Sequence, residues 1–342
     1  MVRFALLFVV VAVSAVSSNE EAEDTPKDPL SLLGWRATEG AAAGYVEDKA
    51  CSTCHMELYL SYQHVGMSQS FKRPGEAKVI EEFGKEFYHE PSQRYYRIDK
   101  DGDKMSFKRY QRDNKGQEIN IFETPIHWVM GSGNRARSYL YRTDWGEMYM
   151  LPLGWYSEDK VWGMSPGFED KNHLGVLRRI QRECMFFHNA LPEVPENSDV
   201  HWNVHQFPEE LPQGTGCQRC HGPGAEHIRA GLTGQPHEVI RSKIVNPAKL
   251  PVEERDSVCF QCHMLPAVSM IGARRFDRKD YDYRPGQKLS KYLLHVETDE
   301  EGESREERFE INHHGYRFWQ SKCFKESEGK LACISCHNRC VA

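Results

Sequence analysis

The sequence predicts an α+β chain, mainly helical and irregular, with an antiparallel β-rich insertion after its first cysteine motif. Two observations lead there. Four C-x-x-C-H units, each needing only a single helical turn, begin at Cys51, Cys217, Cys259 and Cys333. Between the first two, segments such as Arg94-Tyr-Tyr-Arg-Ile-Asp99, Lys104-Met-Ser-Phe-Lys-Arg-Tyr110 and Glu147-Met-Tyr-Met-Leu-Pro-Leu153 alternate polar with apolar residues, and turn residues (Asp101-Gly102, Asn114-Lys-Gly116) punctuate them. That is the pattern of antiparallel strands and hairpins.

The pentads carry the chemistry. C-x-x-C-H is the attachment signature of c-type haem. Two thiols add across the two vinyl groups of one porphyrin, and the adjacent histidine supplies an imidazole to the iron. The pairs Cys51/Cys54, Cys217/Cys220, Cys259/Cys262 and Cys333/Cys336 therefore predict four covalent haem c groups, with His55, His221, His263 and His337 as proximal ligands. The rivals are zinc and disulfides. Zinc sites usually keep their histidines apart from the second cysteine. Disulfide scaffolds are typically short and cysteine-dense, whereas this chain has 342 residues and 11 cysteines. The fold expected is then a multihaem cytochrome c fold organised around stacked haems.

In chain order, residues 1–17 read as a signal peptide. Arg3 precedes an apolar run from Phe4 to Val16, and small residues follow, as in secretory leaders. The run is too short to span a bilayer comfortably. The chain is expected to be exported, periplasmic or extracellular, with no membrane span after cleavage. Residues 18–45 are acidic, then Gly/Ala-rich, and predict a flexible lead. Residues 46–79 form the first haem segment, 80–165 the β-rich insertion and 166–342 a helical multihaem region. A net charge of −6 argues against nucleic acid as a partner. Asp99-Lys-Asp-Gly-Asp103 hints at calcium, but the twelfth position of an EF-hand loop would be Tyr110, where a glutamate is required; a hairpin turn is expected. Gly131-Ser-Gly-Asn-Arg-Ala-Arg137 lacks the Lys-Ser/Thr ending of a P-loop and is expected to be a basic turn.

Sixteen histidines exceed what four proximal positions use, which suits irons taking a second imidazole. The distal candidates are His64, shortly after the first pentad; His127, beside Trp128; His227, shortly after His221; and His313, preferred to His314. A fifth pentad is broken. Cys184-Met-Phe-Phe-His188 keeps the first cysteine and the histidine but has Phe187 in place of the second thiol. An empty site is the expectation for Cys184/His188, with a singly tethered haem as its alternative. Cys323 and Cys340 flank the last pentad and are expected to pair as a disulfide.

The chain resembles the multihaem cytochrome c family related to the tetrahaem cytochrome of ammonia oxidisers, in the branch often fused to tetratricopeptide repeats. The resemblance rests on Val129-Met-Gly-Ser-Gly133 with Ser138-Tyr-Leu140, Leu151-Pro-Leu153 with Trp162-Gly-Met-Ser-Pro-Gly167, Cys217 through His227, Ile244-Val-Asn-Pro-Ala-Lys249, Arg284-Pro-Gly286, and Tyr316-Arg317 through Cys323. It implies electron transfer among closely packed haems between redox partner proteins outside the cytoplasmic membrane. The residues alone imply the same, since nothing but the irons looks able to do redox chemistry. Two other classes stand beside that carrier. One is an oxidoreductase acting on a small nitrogen or sulfur compound at an open iron, with Arg135, Arg137, Arg178 and Arg179 attracting the anion. The other is self-association into a conductive extracellular filament.

Overall fold

The computed structural model describes residues 27–195, 198, 203–264, 273–275, 277–279, 281–295, 314–328 and 330–337. The expected signal peptide, His313 and Cys340 lie outside the described residues. Helices α1 (Pro29–Leu32) and α2 (Ser52–Tyr62) come first. Strands β1 (Phe71–Lys72), β2 (Phe87–His89), β3 (Arg94–Asp101), β4 (Lys104–Arg112), β5 (Glu118–Ile126), β6 (Trp128–Met130), β7 (Ala136–Arg142), β8 (Met148–Tyr156), β9 (Val161–Met164) and β10 (Arg178–Arg179) follow. Then come α3 (Arg182–His188), α4 (Gln218–His221), α5 (Ala225–Leu232), α6 (His237–Ser242) and α7 (Val252–His263). A short ladder of β11 (Ala273–Arg274) with β12 (Leu293–Leu294) precedes α8 (His314–Gln320), α9 (Lys322–Glu326) and α10 (Cys333–Cys336).

Two antiparallel sheets dominate. One is four-stranded, in the order β2-β3-β4-β5; the other is six-stranded, in the order β1-β6-β7-β8-β10, with β9 pairing β8. Strands β3 and β4 form a hairpin whose register runs from Tyr95↔Tyr110 to Asp101↔Lys104. The acidic run from Asp99 is thus a hairpin end, with Gly102 at φ 55°. Because side chains alternate along a strand, Tyr96 and Ile98 on β3 and Met105 and Phe107 on β4 enter one buried core. The same core takes Trp128, Tyr139, Leu140, Leu151, Leu153 and Trp155 from the other sheet. Strand β8 is buried along almost its whole length, as expected of a strand with neighbours on both sides.

This corrects the expected fold class. Helix makes up 30% and strand 21% of the described residues, and the chain is β-rich, not mainly helical. The physical reason lies in the pentads. A C-x-x-C-H unit asks for one turn, so four copies announce short helices, and α4 and α10 span four residues each. Helices that short bury little. Those around the pentads pack in small groups such as Phe260, Tyr283 and Leu289, while the large aromatic core belongs to the sheets.

A buried ion pair clasps the approach to β2 onto the larger sheet. Arg137 Nη1 donates to Glu81 Oε1 at 2.8 Å and to the Lys78 carbonyl at 2.6 Å, and Tyr139 Oη donates to the same carboxylate at 2.8 Å. The two side chains are 4% and 0% exposed. Removing one partner of such a pair strands the other charge, at a cost of about 3–5 kcal/mol. Glu81→Ala is therefore expected to destabilise the protein by about that amount, and Glu81→Gln by less, read from the shift in urea midpoint.

Candidate functional site

The first two pentads, far apart in sequence, meet in space. A 3-10 turn, Asp48–Cys51, leads into α2, and Cys217 precedes α4. The Asp48 carboxylate joins them. Its Oδ1 accepts from Gln218 N at 3.3 Å and from Gln218 Nε2 at 3.1 Å. Burial pushes the Asp48 carboxyl pKa up, and the hydrogen bonds from Gln218 and Cys217 oppose that. Gln218 also donates to the Val46 carbonyl (2.7 Å) and accepts from Val46 N (3.1 Å) and Gly224 N (2.9 Å). Gly216 is required by this approach, since a Cβ there would fall 1.3 Å from Asp48 Oδ2.

As a result, one ligand atom each from Asp48, Cys51 and Cys217 lie within 4.8 Å of one another. A structural zinc centre takes four donors. This trio offers three and splits two pentads to do so, whereas haem attachment uses both thiols of each unit.

Cys54 corrects the expectation for the first pair. Both of its thiols were expected to serve one closely packed haem site, yet only Cys51 reaches the second pentad. Cys51 is half-buried at the junction, whereas Cys54 is exposed on α2 and stands outside the trio. The physical reason is local. Cys51 still belongs to the turn that Asp48 anchors, while Cys54 lies beyond it, and the helix kinks at the next residue, His55, with φ −124° and ψ 45°. Cys336, the second thiol of the last pair, is exposed as well.

The imidazoles fit iron ligation. His227, on α5, faces His55 with ring centroids 6.3 Å apart and planes 11° from parallel. Two metal–nitrogen bonds of about 2 Å each, with the rings they end in, span roughly 6 Å. His227 Nδ1–H donates to the Ile240 carbonyl at 2.8 Å, and His221 Nδ1–H donates to the Val245 carbonyl at 2.8 Å. Because a carbonyl only accepts, both rings keep the proton on Nδ1 and turn an Nε2 lone pair outward. Metal-bound histidines are oriented by such bonds. Close to Cys54, Met56, Leu58 and Leu60 on α2 are about half exposed (52%, 48% and 55%). A porphyrin is a large flat hydrophobe of the kind that would cover them.

At the third pentad, α8 packs on α7. Trp319 meets Phe260 edge to face at 4.8 Å, and a Cβ on Gly315 would lie 2.5 Å from the Phe260 ring. This docking sets His314 beside His263, with ring centroids 5.2 Å apart and the two Nδ1 atoms 3.2 Å apart. His314 is thus the ring described here, the preferred His313 lying outside the described residues. The broken pentad adjoins the same place. Phe187 stands 4.9 Å from the His188 ring and 5.6 Å from that of His263. His188 Nδ1 is buried without a partner. Burial holds its pKa down at about 4, against a weaker opposing effect of the Ser70 backbone, so the ring is neutral at pH 7.

The other candidates lie elsewhere. His127 Nδ1 accepts from Arg142 N at 3.0 Å, which fixes the proton on Nε2 and makes the ring part of the β7 edge. Burial lowers its pKa, helped by Arg73 and Arg142. His64 is exposed just after α2. Cys333 and Cys336 bound α10, and Cys323 is exposed on α9. The arginines expected to attract an anion are committed to other contacts. Arg135 pairs with Glu158, Arg137 with Glu81 and Arg179 with Glu147, while Arg178 lies over the Phe168 ring. Sequence reasoning missed Asp48, Gln218 and Gly216. None is part of a motif, and their roles exist only once distant segments meet.

No family model matches the chain, and no curated protein matches it. The crystal structure of the outer cell wall cytochrome OcwA is similar to it, at 17% identity and a TM-score of 0.48, over 86% of this chain and 56% of that one. The chain thus spans little more than half the length of that cytochrome.

In protein expressed with c-haem maturation, His227→Ala is expected to convert one iron to a high-spin form that binds carbon monoxide. His127→Ala should leave the spectrum unchanged. Gly216→Ala is expected to lower haem occupancy on both Cys51/Cys54 and Cys217/Cys220 peptides in mass spectrometry. A loss confined to the second pair would show that Asp48 does not couple the two sites.

Proposed function

We propose that the chain is an exported multihaem c-type cytochrome that passes electrons along closely packed haems between redox partner proteins. The observation that carries this reading is the His55–His227 pair, near-parallel at 6.3 Å, with His227 turned by the Ile240 carbonyl. An iron with two imidazoles has no open position for substrate, which suits a carrier.

Bound haem would supply one-electron chemistry. The chain's own residues would do the rest. The thiols of each pentad tether the porphyrin, His55, His221, His263 and His337 approach the iron, and carbonyls 240 and 245 set the tautomer and orientation of His227 and His221. The approach of Cys51 to Cys217 supports neighbouring haems at the first two pentads. The bond from Gln261 Nε2 to the Arg219 carbonyl (2.9 Å) ties the second pentad to the third. The motif resemblance to the tetrahaem family of ammonia oxidisers supports the same reading. So does the absence, among the described residues, of a helix long and apolar enough to cross a membrane.

Intact mass spectrometry of matured protein is expected to find four covalent haems, one per complete pentad, with none on a Cys184 peptide. Oxidised and reduced spectra should be low-spin. A mass without covalent porphyrin would overturn the reading, and a high-spin fraction in the wild type would favour the oxidoreductase.

A further inference from the structure

Arg219 lies inside the second pentad, at a position the haem motif leaves open. It is 3% exposed. Its Nη2 donates to the Phe186 carbonyl at 3.0 Å and lies 3.8 Å from Cys262 Sγ, and the guanidinium stacks on the Phe186 ring at 3.9 Å. Its Nε–H has no acceptor. Among the described residues no carboxylate pairs with it, whereas the equally buried Arg137 has Glu81. A buried cation without a counter-charge costs several kcal/mol.

Two further donors belong to the same region. Tyr45 and Tyr283 are 4% and 3% exposed, and neither hydroxyl has a partner. Both lie within electrostatic reach of Arg219 and Cys220, and Tyr283 is also in reach of Cys259 and Cys262. Each unmade buried hydrogen bond costs about 1–3 kcal/mol. Three unsatisfied donors, one of them a cation, call for an anion with more than one oxygen.

A carboxylate meets that demand, and a c-type haem tethered at either neighbouring pentad brings carboxylates with it. We infer that Arg219, Tyr45 and Tyr283 form the receptor for a haem propionate buried between the second and third pentads. The inference rests on the haem reading of those pentads. The guanidinium would neutralise the propionate and so favour the reduced iron beside it, which raises that haem's midpoint potential.

The test is spectroelectrochemistry of matured Arg219→Gln, with haem counted by intact mass. Four haems are expected, with the reduction equilibrium of one of them lowered about tenfold, which is about 59 mV for a one-electron couple. Arg219→Lys should recover most of the shift. The double variant Tyr45→Phe/Tyr283→Phe, which keeps both rings, should lower the same haem by less, and it carries the test if Arg219→Gln fails to mature. Four haems with unchanged midpoints in these variants would overturn the inference. So would a wild-type midpoint that follows added inorganic phosphate and loses that response in Arg219→Gln, since the occupant would then come from solvent. A wild-type mass lacking haem would overturn the reading of the pentads instead.

Discussion

The buried Asp48 carboxylate is the constraint on which the pentad arrangement depends. It sits just before the first pentad and accepts from the backbone and side chain of Gln218, inside the second. Charged hydrogen bonds of this kind contribute about 1.5–3 kcal/mol each, and a buried donor left without its acceptor costs about 1–3 kcal/mol. Gln218 is held from the other side by both polar backbone groups of Val46. No backbone displacement of one pentad is therefore local. Moving α2 relative to α4 breaks the Asp48 bonds first and the pairing of His55 with His227 next.

The sheets serve this arrangement as a rigid spacer. Their core is aromatic, continuous and independent of the cysteines, with Phe71 stacked on Trp128 at 4.6 Å and Trp155 set edge-on to Trp162 at 5.1 Å. Around the pentads the protein supplies far less apolar contact. The exposed Cys54 and the half-exposed Met56, Leu58 and Leu60 mark a surface built for a partner larger than any nearby side chain. Stability is thus divided. The sheet region closes its own core, while the pentad region leans on hydrogen bonds and on whatever the thiols carry.

What could be read from the sequence follows from how local each cause is. The pentads are legible because thioether chemistry fixes their spacing. The unequal settings of Cys51 and Cys54 are not, because the anchor that separates them, Asp48 on Gln218, spans two distant segments. The β3–β4 hairpin is legible because Tyr96, Ile98, Met105 and Phe107 obey the period of a strand and Asp101-Gly102 turns it. The weight of the sheets against the helices was not, since a four-residue α4 and a twelve-residue α7 carry the same motif. His227 stands out as a ligand candidate from its place after His221, yet nothing local says that the ring facing it is His55. His127 looks equally suitable beside Trp128 until the Arg142 amide claims its Nδ1. Arg219 is hidden for another reason: the motif assigns no chemistry to its position, so only its burial without a carboxylate draws notice.

The facing of His55 by His227 has a consequence in time. Synthesis runs from the amino terminus, so His55 and its cysteines are made long before α5 exists. Between them lie both sheets, whose strands pair across long stretches of chain and therefore form late compared with a helical turn. A prosthetic group attached to the nascent first pentad must wait, with one face of its iron uncovered, until the sheets have closed and brought residue 227 around. The second axial bond at that site is thereby a report that everything between the two histidines has folded.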